Sequence, residues 1–280
     1  MRSFLLHSLT RLFPVQPHEW PKALLLLSVA IIWGISGSVS RASAEGLFLS
    51  TLGVAYLPAL LLANPLLLLL LSMLYSSYTE RLSTERLLLA TIVCPIPLIM
   101  LLRLVTLLDL PWIYFGLYTF VLAYPAVLLT SWSLYLSGHY DLQEAKRLLP
   151  LIASGLLMGG IVGGLMVVGT VPLVGPANLL LLWCLTLGAG ALLVRTLARR
   201  YPLRETTRTT GSGSQKTSLL HTFTTGFRAV RASALFTAMA LTTVTTMMAL
   251  QLLDLQYSTI FRSAFPDGAA LTAFLGMVDG

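Results

Sequence analysis

The charged positions of this chain are gathered into short clusters, and the stretches between them are long and apolar. Ala23 to Ser40, Gly46 to Thr79, Leu110 to Gly138, Leu148 to Val194 and Ala232 to Leu253 contain no Asp, Glu, Lys or Arg. A water-soluble domain cannot hide that much uncharged chain, because its surface-to-volume ratio brings polar residues into every element. Hydrocarbon about 30 Å thick takes ~20 apolar residues per helix, and these runs supply that length repeatedly. The pattern predicts an all-α, polytopic transmembrane helix bundle.

The spans follow from the breaks. Span one runs from about Lys22 to Arg41. Span two lies within Ser50 to Tyr75, with kinks expected at Pro58 and Pro65. Span three covers Leu87 to about Leu108, with Pro95 and Pro97 near its middle, and span four covers Pro111 to Leu136, interrupted by Pro125. Leu148 to Val194 is too long for one helix. The stretch Thr170 to Ala177, with two prolines and a glycine, reads as the turn between spans five and six. Span seven covers Ala232 to Leu253. An eighth begins near Gly268, but about 12 residues rise only ~18 Å, too little to cross, so the chain reads as a fragment. In membrane helices the prolines are tolerable, because neighbouring helices and hydroxyls satisfy the carbonyls they free.

Four segments result. Residues 1–21 form a cytoplasmic amphipathic lead-in, since Phe4-Leu5-Leu6 is too short an apolar region for a secretory signal. Residues 22–195 hold six spans. Residues 196–231 form a basic linker, flexible at Gly211 to Ser214, with an interfacial helix marked by Leu220, Phe223, Phe227 and Val230. Residues 232–280 start a second series. Six spans, a long basic loop and a further series match the layout of a two-half transporter.

Charge adds orientation. Only 10% of residues are charged and the net charge is +7. With the N-terminus cytoplasmic, all of the 18 Lys and Arg fall inside except Arg41, Arg103 and Arg262. That asymmetry obeys the positive-inside rule, and adding or removing one span would destroy it. The basic excess therefore points to membrane orientation, not to nucleic acid. The four histidines are scattered singly, so no metal site or cofactor is expected, and Cys94 and Cys184 read as reduced packing residues.

Gly155, Gly159 and Gly163 recur every fourth position in span five, with Gly160 and Gly164 alongside. Lipid tails are as apolar as Leu, so helices associate where small residues let backbones approach. A tight helix seam is the plain reading and a sliding gate surface the sharper one. Arg41 stands ~28 Å above Lys22 along span one, with Asp254 at similar height on span seven. Both can snorkel to the interface, or they can face each other as an outer gate, with Glu45 competing for Arg41. Arg103 snorkels or contacts an anionic substrate; Asp109, six residues on, points elsewhere. Asn64 and the run Thr242, Thr243, Thr245, Thr246 are milder polar features whose default is interhelical or back-bonding. Between spans four and five, Asp141 and Glu144 precede Lys146 and Arg147. Bases in a helix's first turn oppose its dipole, which points to a specific partner such as lipid phosphates or a neighbouring loop.

Trp132 followed by Glu144-Ala145-Lys146-Arg147, then Pro150-Leu151 and the glycine-rich span five, resembles the bacterial and plastid ATP/ADP translocase (nucleotide transporter) family. More broadly it is similar to major facilitator superfamily relatives. Asp254-Leu-Gln-Tyr257, Phe265-Pro-Asp267 and Phe274-Leu-Gly276 are similar to the region after the seventh helix in those relatives. The resemblance implies a major-facilitator-like six-helix half plus one to two helices of the second, in the inner membrane of a bacterium. It implies transport of a nucleotide or other organic anion by alternating access, with Arg41 near the span-one basic residue used for anion recognition. It also implies a missing C-terminal half or a fused helical-repeat or cyclic-nucleotide-binding module. Substrate candidates are then Arg41, Arg103 and Asn64.

Two other classes compete. A non-transporting membrane anchor or sensor of a regulatory protein would be followed by a soluble module after Gly280. A polytopic enzyme lacks support, because no His–Asp, Ser–Lys, His-Glu-x-x-His or paired-aspartate arrangement lies at membrane depth.

Overall fold

The computed structural model describes residues 19–79, 82–108, 110–140, 142–202, 233–265 and 267–279. Those residues are helical apart from short turns, with no strand among them. Residues 1–18 of the amphipathic lead-in, the Gly211–Ser214 linker, the interfacial helix, Asp109 and Asp141 lie outside the described residues.

Among the described residues, nine α-helices follow in order. They are α1 (Trp20–Thr51), α2 (Leu57–Thr79), α3 (Thr84–Val93), α4 (Pro95–Val105), α5 (Pro111–Ser137), α6 (Leu142–Val174), α7 (Leu179–Arg200), α8 (Ala234–Ala264) and α9 (Gly268–Asp279). Seven stretches are long and apolar enough to cross a membrane, α3 with α4 counting as one. The chain is a helical membrane protein.

Prolines and glycines set the boundaries. Pro21, Pro95 and Pro111 sit in the first turns of α1, α4 and α5, where a missing N–H costs nothing and φ is already helical. Gly53 and Gly175 adopt φ of 74° and 78° after α1 and α6, a region costly for any residue with a Cβ. Pro95 cannot donate to the Thr91 carbonyl one turn back. The Tyr124 hydroxyl of α5 donates to that oxygen at 3.3 Å, so a neighbouring helix fills the gap the proline leaves.

Two boundaries differ from the reading of the sequence. Helix α1 continues ten residues past Arg41, so Arg41 belongs to the helix interior and not to its end. Helix α6 runs through Thr170 and Pro172 to Val174, so the turn shrinks to Gly175 and the 3-10 turn Pro176–Asn178. In the first case a charge, and in the second a proline, sits inside a backbone hydrogen-bond ladder that continues past it.

The described residues divide into two compact units: 19–202 with 262–279, and 233–261. In the first unit α1 is the central element, packed by α5, α6, α7 and α9. The segment 267–279 therefore groups with the first six spans rather than with α8. In the second unit, α8 presents exposed Leu235, Phe236, Met239, Leu241 and Val244. Its Thr242 and Thr243 hydroxyls donate to the carbonyls of Ala238 and Met239, each at 2.9 Å. Asp254 lies exposed on this helix.

Candidate functional site

The glycines of α6 meet α1. A Cβ added at Gly159 would overlap the Ile31 carbonyl, and one at Gly163 would come within 2.8 Å of the Ile35 Cα. Gly155 faces Leu27 in the same way. From the opposite side, a Cβ at Gly34 would overlap the Leu156 oxygen and the Gly160 backbone. The Ser38 hydroxyl closes the seam by donating to the Gly160 carbonyl at 3.0 Å. Gly164 is used by α9, where a Cβ on Gly276 would come within 3.3 Å of its carbonyl. Close backbone contact is the physical basis of this packing.

Beside the seam opens a crevice of about 340 Å³. Trp33, Ser36, Gly37 and Ser40 of α1, Tyr124 and Pro125 of α5, Gly160 of α6 and Trp183 of α7 are among its lining. Among the described residues, no Asp, Glu, Lys, Arg or His contributes to it. Rings continue from its wall toward the amino end of α1. Trp33 meets Trp132 edge-on at 4.6 Å, Trp132 stacks on Tyr135 at 6.0 Å, and Tyr135 meets His139 edge-on at 4.6 Å.

At that end, charges tie α1 to the start of α6. Arg147 donates to the Glu19 carboxylate at 3.1 Å, and Glu19 is 9% exposed. Lys22 donates to the His139 carbonyl at 2.7 Å and lies 4.3 Å from the centre of the Tyr140 ring. The bases in the first turns of α6 thus have a reason: Arg147 answers a buried acid on α1. Lys146 is exposed and Glu144 half-buried. Burial, aided by the Lys22 ammonium, pushes His139 from 6.5 down to about 4, and the Tyr140 hydroxyl is pushed up by burial and then by Glu19 and Glu144.

Beyond the crevice on α1, Arg41 Nε stands 3.7 Å from Glu45 Oε2, one turn on. Glu45 is 4% exposed, so within this unit Glu45 is the acid Arg41 faces. Asp254 belongs to the other unit. Arg103 places Nε and Nη2 on the Asn178 side-chain oxygen at 3.2 and 2.6 Å, and Nη1 on Thr106 at 3.1 Å. It ties α4 to the turn before α7. Asn64 stands apart on α2, its side-chain oxygen buried without a partner among the described residues. The sequence-read residues therefore form no single cluster.

Glu19, Lys22, His139 and Asn178, together with the crevice residues Trp33, Ser36 and Trp183, were missed by sequence reasoning. A visible signal existed for one group: Ser36, Ser38 and Ser40 put three hydroxyls on consecutive alternate positions of an otherwise apolar span. No group of His, Cys, Asp and Glu able to hold a metal occurs among the described residues. Compared with known protein families, curated proteins and solved structures, the chain matches none. The likeness to nucleotide translocases stands on the motifs alone.

Proposed function

We propose that the chain works as a secondary transporter of the major facilitator type, carrying an organic anion by alternating access. The observation that carries this reading is the order of features along α1. An ion pair joining α1 to α6 lies at one end, Glu19 with Arg147, and a pair within α1 lies past the middle, Arg41 with Glu45. Between them lies a crevice at membrane depth. A carrier needs a solute site bracketed by contacts that open in turn, because a site open to both sides at once is a leak. The glycine seam supports it, since side-chain-free backbones can shift against each other without interlocked knobs.

In this reading Arg41 is the anion contact. It begins the turn after Ser40 of the crevice, and its side chain is 40% exposed. Arg103 holds the Asn178 turn and serves the frame. The layout of six spans, a basic loop and a seventh span, with the resemblance to nucleotide translocases, makes nucleotides the first substrates to try.

Reconstitution into liposomes tests the proposal, with radiolabelled ATP, ADP and simple aryl carboxylates outside. Saturable uptake that is lost in Arg41→Ala, at unchanged protein level, is expected. Wild-type uptake in Arg41→Ala removes the anion assignment, and no uptake of any of these solutes removes transport.

A further inference from the structure

We propose that the crevice between α1, α5, α6 and α7 binds an uncharged, flat, hydrogen-bonding ring of the solute; the word solute rests on the transporter reading, the site itself does not. Charge decides the first property. With no ionisable side chain of Asp, Glu, Lys, Arg or His in the lining, an ionised group placed there would lose its hydration with nothing to replace it. A charged part of the ligand stays outside, at the Arg41 side.

Shape decides the second. Three aromatic side chains, Trp33, Tyr124 and Trp183, present ring surface to the crevice, and stacking or edge contacts favour a planar guest. The glycine at position 37 leaves a gap that packing does not need: a Cβ built there meets nothing within 4 Å. Gly34, in contrast, is required by the seam. Two glycines three residues apart on one helix thus have different reasons, one to admit a neighbouring backbone and one to leave room.

Hydrogen bonding decides the third. Ser38 and Ser40 donate to the carbonyls of Gly160 and Gly37 at 3.0 and 2.9 Å. Ser36 places a further hydroxyl in the lining of the crevice, in a residue 3% exposed. The Trp33 indole N–H, in a residue 6% exposed, lacks an acceptor among the described residues. A buried polar group left unpaired is costly, and a hydroxyl answers either a donor or an acceptor on the guest. A lipid acyl chain would fill the volume but offer the Ser36 hydroxyl neither a donor nor an acceptor.

The probes are nicotinamide, its anionic counterpart nicotinate, and the saturated cyclohexanecarboxamide. Binding to the purified, detergent-solubilised chain is measured by calorimetry. Nicotinamide is expected to bind saturably, and the other two at least about tenfold more weakly. Ser36→Ala should weaken nicotinamide about tenfold, the worth of one hydrogen bond. Gly37→Leu should abolish binding while the unfolding temperature stays unchanged, because the new side chain grows into open space. Absence of nicotinamide binding, equal binding of nicotinate or cyclohexanecarboxamide, or undiminished binding in Gly37→Leu overturns the proposal. Uptake assays separate the two readings. Binding without uptake keeps the site and removes transport; uptake indifferent to Gly37→Leu keeps transport and removes the site.

Discussion

The spans of α1 (Trp20–Thr51) and α2 (Val54–Thr79, with the short turn before it) are almost equally apolar, with mean hydropathies of 2.0 and 2.2, and yet 56% of the most apolar part of one is buried inside the protein against 11% of the other. Hydropathy therefore does not decide which helix lies at the centre. Within a bilayer, leaving lipid for protein gains no hydrophobic free energy, so packing and hydrogen bonds choose the partners. Helix α1 carries Gly34, Gly46 and a set of serines, and its glycines meet Leu156, Gly160 and Thr272. Helix α2 carries Leu62, Leu66, Leu69 and Leu70 on an exposed face. Small residues mark the packed helix; leucines mark the helix that faces outward.

The comparison breaks most severely at the seam. Gly159→Leu should cost at least about 3 kcal/mol, since the clash is with backbone that cannot rotate away. Loss of the monodisperse folded peak in detergent would show it, with Gly37→Ala beside it unaffected. A stable Gly159→Leu protein would refute the seam as the organising contact.

Next in size is the tie at the amino end of α1. Glu19→Ala and Arg147→Ala should each lower stability by about 2 kcal/mol, and the double variant by hardly more, because each single change already breaks the same bond. Additive losses in thermal unfolding would mean the two residues act apart. Arg103→Lys should cost about 1 kcal/mol, because one ammonium cannot place two nitrogens on the Asn178 oxygen and a third on Thr106.

The pH dependence comes next. His139 takes its proton at about 4 when folded and at 6.5 when free. Between those values the unfolded chain binds the proton and the folded chain does not, so stability falls as pH drops through that window. Burial acts on it first and the Lys22 ammonium second, with the Tyr135 ring edge-on against the imidazole. His139→Gln should flatten the slope of unfolding temperature against pH between 6.5 and 4; an unchanged slope assigns it to other groups. Least affected should be Leu66→Ala, on the outward face of α2, with a change within about 0.5 kcal/mol. A large loss there would mean that face is covered.

Much of the frame was legible because its cause is one-dimensional. Span existence depends on the local run of uncharged residues, and the five stretches without charge map onto α1, α2 and α5 to α8. Boundaries were less legible. Arg41 looked terminal because a charge interrupts the apolar run, but Glu45 one turn later lets both stay inside the helix. The spacing of Gly155, Gly159 and Gly163 marked a seam by period alone, without naming α1 as its partner. The tie from Glu19 to Arg147 spans 128 residues, and no local pattern records it.

What the sequence determined by itself is the solvent of each segment, because transfer between water and hydrocarbon is a sum over neighbouring residues. It also determined where helices are free to approach closely. Only the tertiary structure decided which glycine meets which backbone, that Arg103 belongs to Asn178, and that Trp33, Tyr124 and Trp183 enclose one crevice. Those pairings are set by helix rotation and depth, which depend on all the neighbours at once and on no single stretch of chain.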